Sequence, residues 1–161
     1  MHADIASNLH FHYMPSTGTI QMWWQGRHVK RYDISAGSRQ FFKVGAYFIK
    51  AEYAHSHTRT QCHSEVFVYG KLEQRDQQFF PKLLACSSMG AEEVQWVMYP
   101  WYNLKPVTSE LSVLYKYCQA KVQRLCDKYG IRDVAPYVNI NWFIHKGKPL
   151  IVDCGCAGDS W

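Results

Sequence analysis

A chain of 161 residues, 47% hydrophobic and 19% charged, has the size and composition of one folded domain, which excludes a disordered or fibrous protein. Its apolar runs, such as Ile140 to Ile144, are too short to cross a bilayer, and Met1-His2-Ala3-Asp4 lacks the apolar block of a signal peptide. A soluble, cytoplasmic protein without a membrane partner is expected. The net charge is +5, yet the basic residues are scattered, with their densest stretch at Arg27, His28, Lys30 and Arg31. Nucleic-acid affinity needs a clustered stripe that contacts several phosphates together, so nucleic acid is not the expected partner.

The first third of the chain reads as strands. Thr19-Ile20-Gln21-Met22-Trp23-Trp24 is β-branched and aromatic, bounded by Pro15-Ser16-Thr17-Gly18 and by Gln25-Gly26. Val29 to Ile34 predicts a second strand, Ser35-Ala36-Gly37-Ser38 a flexible turn, and Gln40 to Val44 with Ala46 to Tyr53 a further pair around Gly45. The abundant aromatics are then most economically buried in sheets.

From Gln61 to Leu72 the period becomes helical, with Glu65, Val68, Tyr69 and Leu72 on one face. Pro81 ends this unit; Phe79 to Ala85 and Val94 to Tyr99 predict strands, and Tyr99-Pro100-Trp101-Tyr102 a rigid connector. The strongest helix follows, capped by Thr108 or Ser109 with Glu110 in its first turn. Its apolar stripe is Leu111, Leu114, Cys118, Val122, Leu125 and Tyr129, and Gly130 stops it. Asn139 to Phe143 and Leu150 to Val152 then flank the hairpin turn Lys146-Gly147-Lys148-Pro149.

The six cysteines, at 62, 86, 118, 126, 154 and 156, read as free thiols, with Cys118 and Cys126 in a helical core face. One metal alternative stays open. His55-Ser56-His57 followed by Cys62-His63 brings four zinc-type ligands close in sequence, although without a finger spacing.

This order of elements, with particular residues at particular places, resembles the protein-kinase-like fold: an antiparallel-sheet small lobe with one helix, then a truncated helical second lobe. The resemblance covers roughly residues 35 to 157 and implies an α+β protein with a small lobe over 1–98, a hinge at 99–102 and a second lobe over 103–161. Ser35-Ala36-Gly37-Ser38-Arg39-Gln40 stands where the phosphate-covering glycine loop belongs, with one glycine for the usual three, so Gly37 and Ser38 become nucleotide-binding candidates. Phe48-Ile49-Lys50-Ala51 resembles the strand that carries the phosphate-holding lysine, with Lys43 as the other candidate, and Glu65, fifteen residues beyond Lys50, resembles its helical carboxylate partner. Gln95 to Trp101 resembles the strand and hinge whose backbone meets adenine, which points to Met98. Asn141, then Gly147 to Gly155 with Asp153 before Cys154-Gly155, resembles the family's asparagine, hairpin and D-F-G; the implied cofactors are ATP and Mg²⁺, the ion held by Asp153 and Asn141.

Two departures qualify what the resemblance implies. Asp133 of Ile131-Arg132-Asp133-Val134 is the candidate base, but it precedes Asn139 by six residues and Asn141 by eight where the family has five, and no histidine precedes the arginine. Only eight residues follow Asp153, where a complete kinase, on the order of 250 residues, carries its activation segment and substrate helices. The chain is in this similar to short kinase-like proteins, including bacteriophage-encoded ones acting in a host cytoplasm. Two expectations follow: a nucleotide-binding phosphotransferase of unnamed acceptor, or a catalytically inactive pseudokinase-like module that binds a host or partner protein. Residues 1–34 lie outside the resemblance and are expected to add strands to the small lobe.

Overall fold

A computed structural model of the chain describes residues 2–36, 39–55, 60–89, 91–107, 112–132, 134, 136–137 and 142–152. The fold is α+β, with antiparallel sheets and few helices among the described residues. The chain divides into two units, Met1–His63 with Leu83–Trp101 and Ser64–Lys82 with Tyr102–Trp161, each with its own core. No described helix is long and apolar enough to cross a membrane.

In the first unit a short helix, α1 (His2–Ala6), leads into a three-stranded antiparallel sheet of β1 (Leu9–Met14), β2 (Thr19–Trp24) and β3 (Arg27–Val29), in that order. Strand β2 has the expected bounds. Its turn into β3 is the two-residue loop Gln25-Gly26, both with positive φ (51° and 73°), the backbone of a type I′ turn that follows strand twist. The expected strand from Val29 to Ile34 is instead two strands divided at Lys30: β3 ends at Val29, and β4 (Arg31–Ala36) starts a different sheet. Apolar content alone does not reveal such a break, because the chain stays extended on both sides of the crossing.

That second sheet is five-stranded, in the order β4, β5 (Arg39–Val44), β6 (Tyr47–Tyr53), β8 (Val94–Pro100), β7 (Ala85–Cys86), with each neighbouring pair antiparallel. Helix α2 (Gln61–Lys71) lies in the chain between β6 and β7. The two sheets share one core. Leu9, Ile20 and Met22 from the first pack with Phe42, Val44, Ile49, Ala51, Val94, Trp96 and Met98 from the second, and Phe11 stacks on Trp96 with ring centroids 6.0 Å apart. Gln40 stitches them as well, its Oε1 accepting from the Ile20 N–H (2.9 Å) and its Nε2 donating to the Gly18 carbonyl (3.0 Å). The region before residue 35 thus does add strands: β1 to β3 as a separate sheet packed on the larger one, and the start of β4 at the edge of the larger sheet.

The apolar run from Phe79 to Ala85 is not a strand. It begins in a 3₁₀ turn (Gln77–Phe79) and pairs only at its end, where Leu84 N–H reaches the Met98 carbonyl (2.9 Å) ahead of β7. Pro81 supplies the reason, since it has no N–H for a ladder. Conversely, β8 runs through Tyr99 and Pro100, the first half of the expected connector, with Pro100 opposite Tyr47.

The second unit holds the rest of α2, a sheet in the order β11 (Lys148–Ile151), β10 (Trp142–His145), β9 (Lys105–Pro106), and the long helix α3 (Ser112–Tyr129). Val68 of α2 and Leu72 just beyond it join Phe79, Phe80, Tyr115, Cys118, Val122, Leu125, Cys126, Trp142 and Ile151 in its core. Helix α3 ends as expected: Gly130 takes φ +65° and the Ile131 N–H returns to the Cys126 carbonyl (2.9 Å). Its stripe is rotated from the expected one, however. Leu114 is exposed and Tyr115 is buried in its place. At 100° per residue, Leu114 lies about 80° from the fully buried Val122, whereas Tyr115 lies about 20° away. The proposed caps Thr108 and Ser109, together with Glu110 and Leu111, lie outside the described residues. The hairpin between β10 and β11 turns on Lys146-Gly147 alone, with φ of 48° and 75°, and Lys148 and Pro149 already belong to β11.

Candidate functional site

The two faces of the five-stranded sheet differ in chemistry. Alternation along β6 sends Ile49 and Ala51 into the core and Lys50 and Glu52 to the opposite face. Register extends that face across the sheet: Lys50 stands opposite Phe41 of β5 and Val97 of β8, Glu52 opposite Gln95, and Phe48 opposite Lys43 and Tyr99. Arg39 precedes Phe41 by two residues on β5 and shares the face. Arg39, Lys50, Glu52 and Gln95 are all buried. Charged side chains reach such burial only with partners, so this face is built around ionic chemistry in a way the other is not.

Lys50 is 6% exposed, with its Nζ 5.4 Å from the centre of the Tyr99 ring. Lys43, the other candidate lysine, is exposed and lies over Trp101 at 4.3 Å. Burial therefore separates the two lysines, which the sequence alone did not. Glu65, also buried, sits on α2 in the second unit, one turn beyond Cys62. Met98 has its side chain in the apolar core and its carbonyl taken by Leu84 N–H. Gly37, Ser38, Asp133, Asn141 and Asp153 lie outside the described residues.

Sequence reasoning missed the groups around the start of α2. Thr60 caps the helix, its Oγ1 accepting from the His63 N–H (3.1 Å). The same hydroxyl donates to Gln95 Oε1 at 2.5 Å. The Glu52 carboxylate accepts from the Gln61 N–H (2.7 Å) and the Cys62 N–H (3.4 Å), and the Cys62 thiol donates to the Lys50 carbonyl (3.6 Å). Thr60 ahead of the helical period was a readable cap signal; Glu52 had none, because its partners lie nine and ten residues away across a loop.

The cysteines follow the free-thiol reading where they are described: Cys62, Cys118 and Cys126 are buried and Cys86 is exposed, all reduced. Burial pushes the Cys126 thiol up to about 11, so it is protonated and inert near neutrality. In the zinc alternative, His57 lies outside the described residues, His55 packs edge-on against Tyr53 (4.7 Å), and Cys62 is committed to a backbone carbonyl. No group of three or more His, Cys, Asp or Glu side chains placed to hold a metal occurs among the described residues.

In the second unit, Trp142 opens β10 directly after the candidate asparagine. Its indole Nε1 donates to the Pro136 carbonyl (2.6 Å), and its ring meets Tyr115 edge-on at 5.6 Å. At the far end of α3, Tyr129 donates to Asp76 (2.8 Å), and Lys128 lies 3.5 Å from Asp76 and 3.3 Å from Glu73. The Tyr129 hydroxyl, with Lys128 behind it, holds the Asp76 carboxyl below its ordinary value of 3.8 against the opposing effect of burial.

No family model and no curated protein matches the chain. Among solved structures, a crystal structure of WbdD is matched over 84% of this chain and 34% of that one, at 14% identity and a TM-score of 0.44. Another structure, described as the bifunctional kinase-methyltransferase WbdD, is matched over 94% of this chain and 37% of that one, at 16% identity and a TM-score of 0.44. This chain therefore spans little more than a third of the length of those two chains.

Proposed function

We propose that the chain is a kinase-like nucleotide-binding protein that transfers the γ-phosphoryl group of ATP. The observation that carries this reading is Lys50: a buried cation on the third strand of a five-stranded antiparallel sheet, with the helix that bears the buried Glu65 following it in the chain. Residues 37–38 fall in the chain between the first two strands of that sheet, the position of the family's phosphate-covering segment, and the fifth strand in sequence runs into residues 99–102, the position of its hinge.

In this reading Lys50 holds the α- and β-phosphates and Glu65 orients it, while Gly37 and Ser38 cover the phosphates and the backbone near Met98 meets adenine. The donor chemistry of the remaining candidates fits the ion: carboxylate and amide oxygens, as on Asp153 and Asn141, suit Mg²⁺, which when bound neutralises charge on the phosphates. Asp133 takes the proton of the acceptor hydroxyl. Rate acceleration then rests on positioning and electrostatics, the main contributions in phosphoryl transfer.

Thermal stabilisation by ATP with Mg²⁺ tests the reading. A ligand at a hundred times its Kd stabilises by about 2.7 kcal/mol, which for a chain of this length raises Tm by roughly 5–11 °C. Lys50→Met and Asp153→Ala should each lose most of that shift. No shift at millimolar ATP, or a shift unchanged in both variants, overturns it. The longer spacing from Asp133 to Asn139 and Asn141 favours a second reading, an inactive pseudokinase-like module for a partner protein. A full ATP shift with no ADP formed over hours, whatever hydroxyl acceptor is supplied, selects that one.

A further inference from the structure

We infer that Glu52 is a positioning residue that anchors the first turn of α2 to the strand carrying Lys50. A helix leaves its first N–H groups without partners inside the helix. In α2 the N–H of Gln61 and of Cys62 go to the Glu52 carboxylate and that of His63 to Thr60 Oγ1. A cap drawn only from the preceding residue would finish the helix and fix nothing else. Here two of the three bonds come from a side chain of β6, and the cap hydroxyl is itself bonded to Gln95, which stands opposite Glu52 on β8. The Cys62 thiol adds a bond to the backbone of Lys50 itself.

Glu52 and Lys50 leave the same face of β6 two residues apart, so whatever fixes the first helical turn at Glu52 also fixes it against the lysine strand. A carboxylate is the suitable group for this task. It can accept both N–H groups at once, and its charge is favoured at the positive end of the helix. A neutral apolar residue at 52 would leave the helix able to form but without the two bonds that tie its first N–H groups to a side chain of β6. The consequence for phosphate binding rests on the function proposed above; the anchor itself does not.

Hydrogen exchange and nucleotide titration on the full chain separate these two parts. In Glu52→Ala the Gln61 and Cys62 amides should exchange about tenfold faster or more, while the Ile49 and Ala51 amides within β6 are unchanged. Glu52→Gln, which keeps one acceptor oxygen, should restore part of the protection and decides the matter should the alanine variant fail to fold. The extra thermal stabilisation that ATP with Mg²⁺ gives over adenosine should fall in Glu52→Ala, with the adenosine shift retained. A role confined to stability would lower the Tm of the free protein and leave both ligand shifts intact, and that result overturns the positioning role. Unchanged exchange at Gln61 and Cys62 in both variants overturns the anchor. Absence of any ATP shift in the unmodified protein overturns the phosphotransfer reading and the positioning role with it, while exchange still decides the anchor.

Discussion

Replacing Trp142 with phenylalanine removes a buried donor and part of a ring from the second core in one step. The indole is 2% exposed, bonds the Pro136 carbonyl at 2.6 Å and touches Tyr115 edge-on. Pro136 is itself buried, so its carbonyl would lose a partner it cannot readily replace with water. Leaving such an acceptor unsatisfied costs about 1–3 kcal/mol. The smaller ring leaves a void of roughly 40 Å³, which at about 24 cal/mol per Å³ adds about 1 kcal/mol. The sum, about 2–4 kcal/mol, lowers Tm by roughly 4–16 °C for a chain of this size. Far-UV circular dichroism is the suitable probe, since it follows α3 and does not depend on the deleted fluorophore. Trp23→Phe, on the outer face of the first sheet, serves as control and should change stability by no more than about 0.5 kcal/mol. A loss below about 0.5 kcal/mol for Trp142→Phe would refute the claim that this buried bond stabilises the second core.

Two glycine substitutions test backbone against space. An added Cβ meets nothing within 4 Å at either Gly70 or Gly147, but only Gly147 has positive φ, at 75°. Gly70→Ala, exposed in the last turn of α2, should therefore stabilise by up to about 1 kcal/mol, and Gly147→Ala should destabilise by about 1–2 kcal/mol; urea midpoints shifted in the same direction would contradict the turn assignment. Acid stability should depend on Tyr129. With the Asp76 carboxyl held below 3.8 by the Tyr129 hydroxyl, the unfolded chain binds more protons just below that value, so the contribution is present above it and is lost as pH falls through the lowered value. Tyr129→Phe should flatten urea midpoints measured from about pH 5 down to about pH 2.5, and an unchanged slope would remove Tyr129 as the cause.

Strands β2, β5, β6 and β8 and both longer helices could be read from the chain because each combines a clear period with turn or stop residues at its ends. The readings that failed did so where tertiary context decides. Lys30 divides an extended run between two sheets, and nothing local marks the crossing. Leu114 fits a pattern of fourth residues, but successive steps of four drift around a helix and carry it out of the core. Phe79 to Ala85 is apolar because its two ends serve two different cores, with Phe79 and Phe80 in one and Leu84 and Ala85 packed against the other. At the candidate site, Lys50 and Glu65 are singled out only by the family resemblance, and their burial was not legible in the sequence. Glu52 was illegible for a different reason: a carboxylate in a strand looks like a solvated residue until the helix it caps is brought to it.

Five of the six edge strands in the described sheets share a property with a bearing on strand-to-strand association. β7 and β9 are two residues long, β3 is three, and β4 breaks register between Tyr32 and Ala36. β11 carries Pro149, which has no N–H to offer, and Pro106 does the same for β9. A passing chain that tried to add a strand would find, at each of these edges, too few consecutive open groups to hold it. The exception is β1, six residues long and in unbroken register with β2. Strand-to-strand aggregation of the folded protein, if concentration forces it, should therefore start at β1.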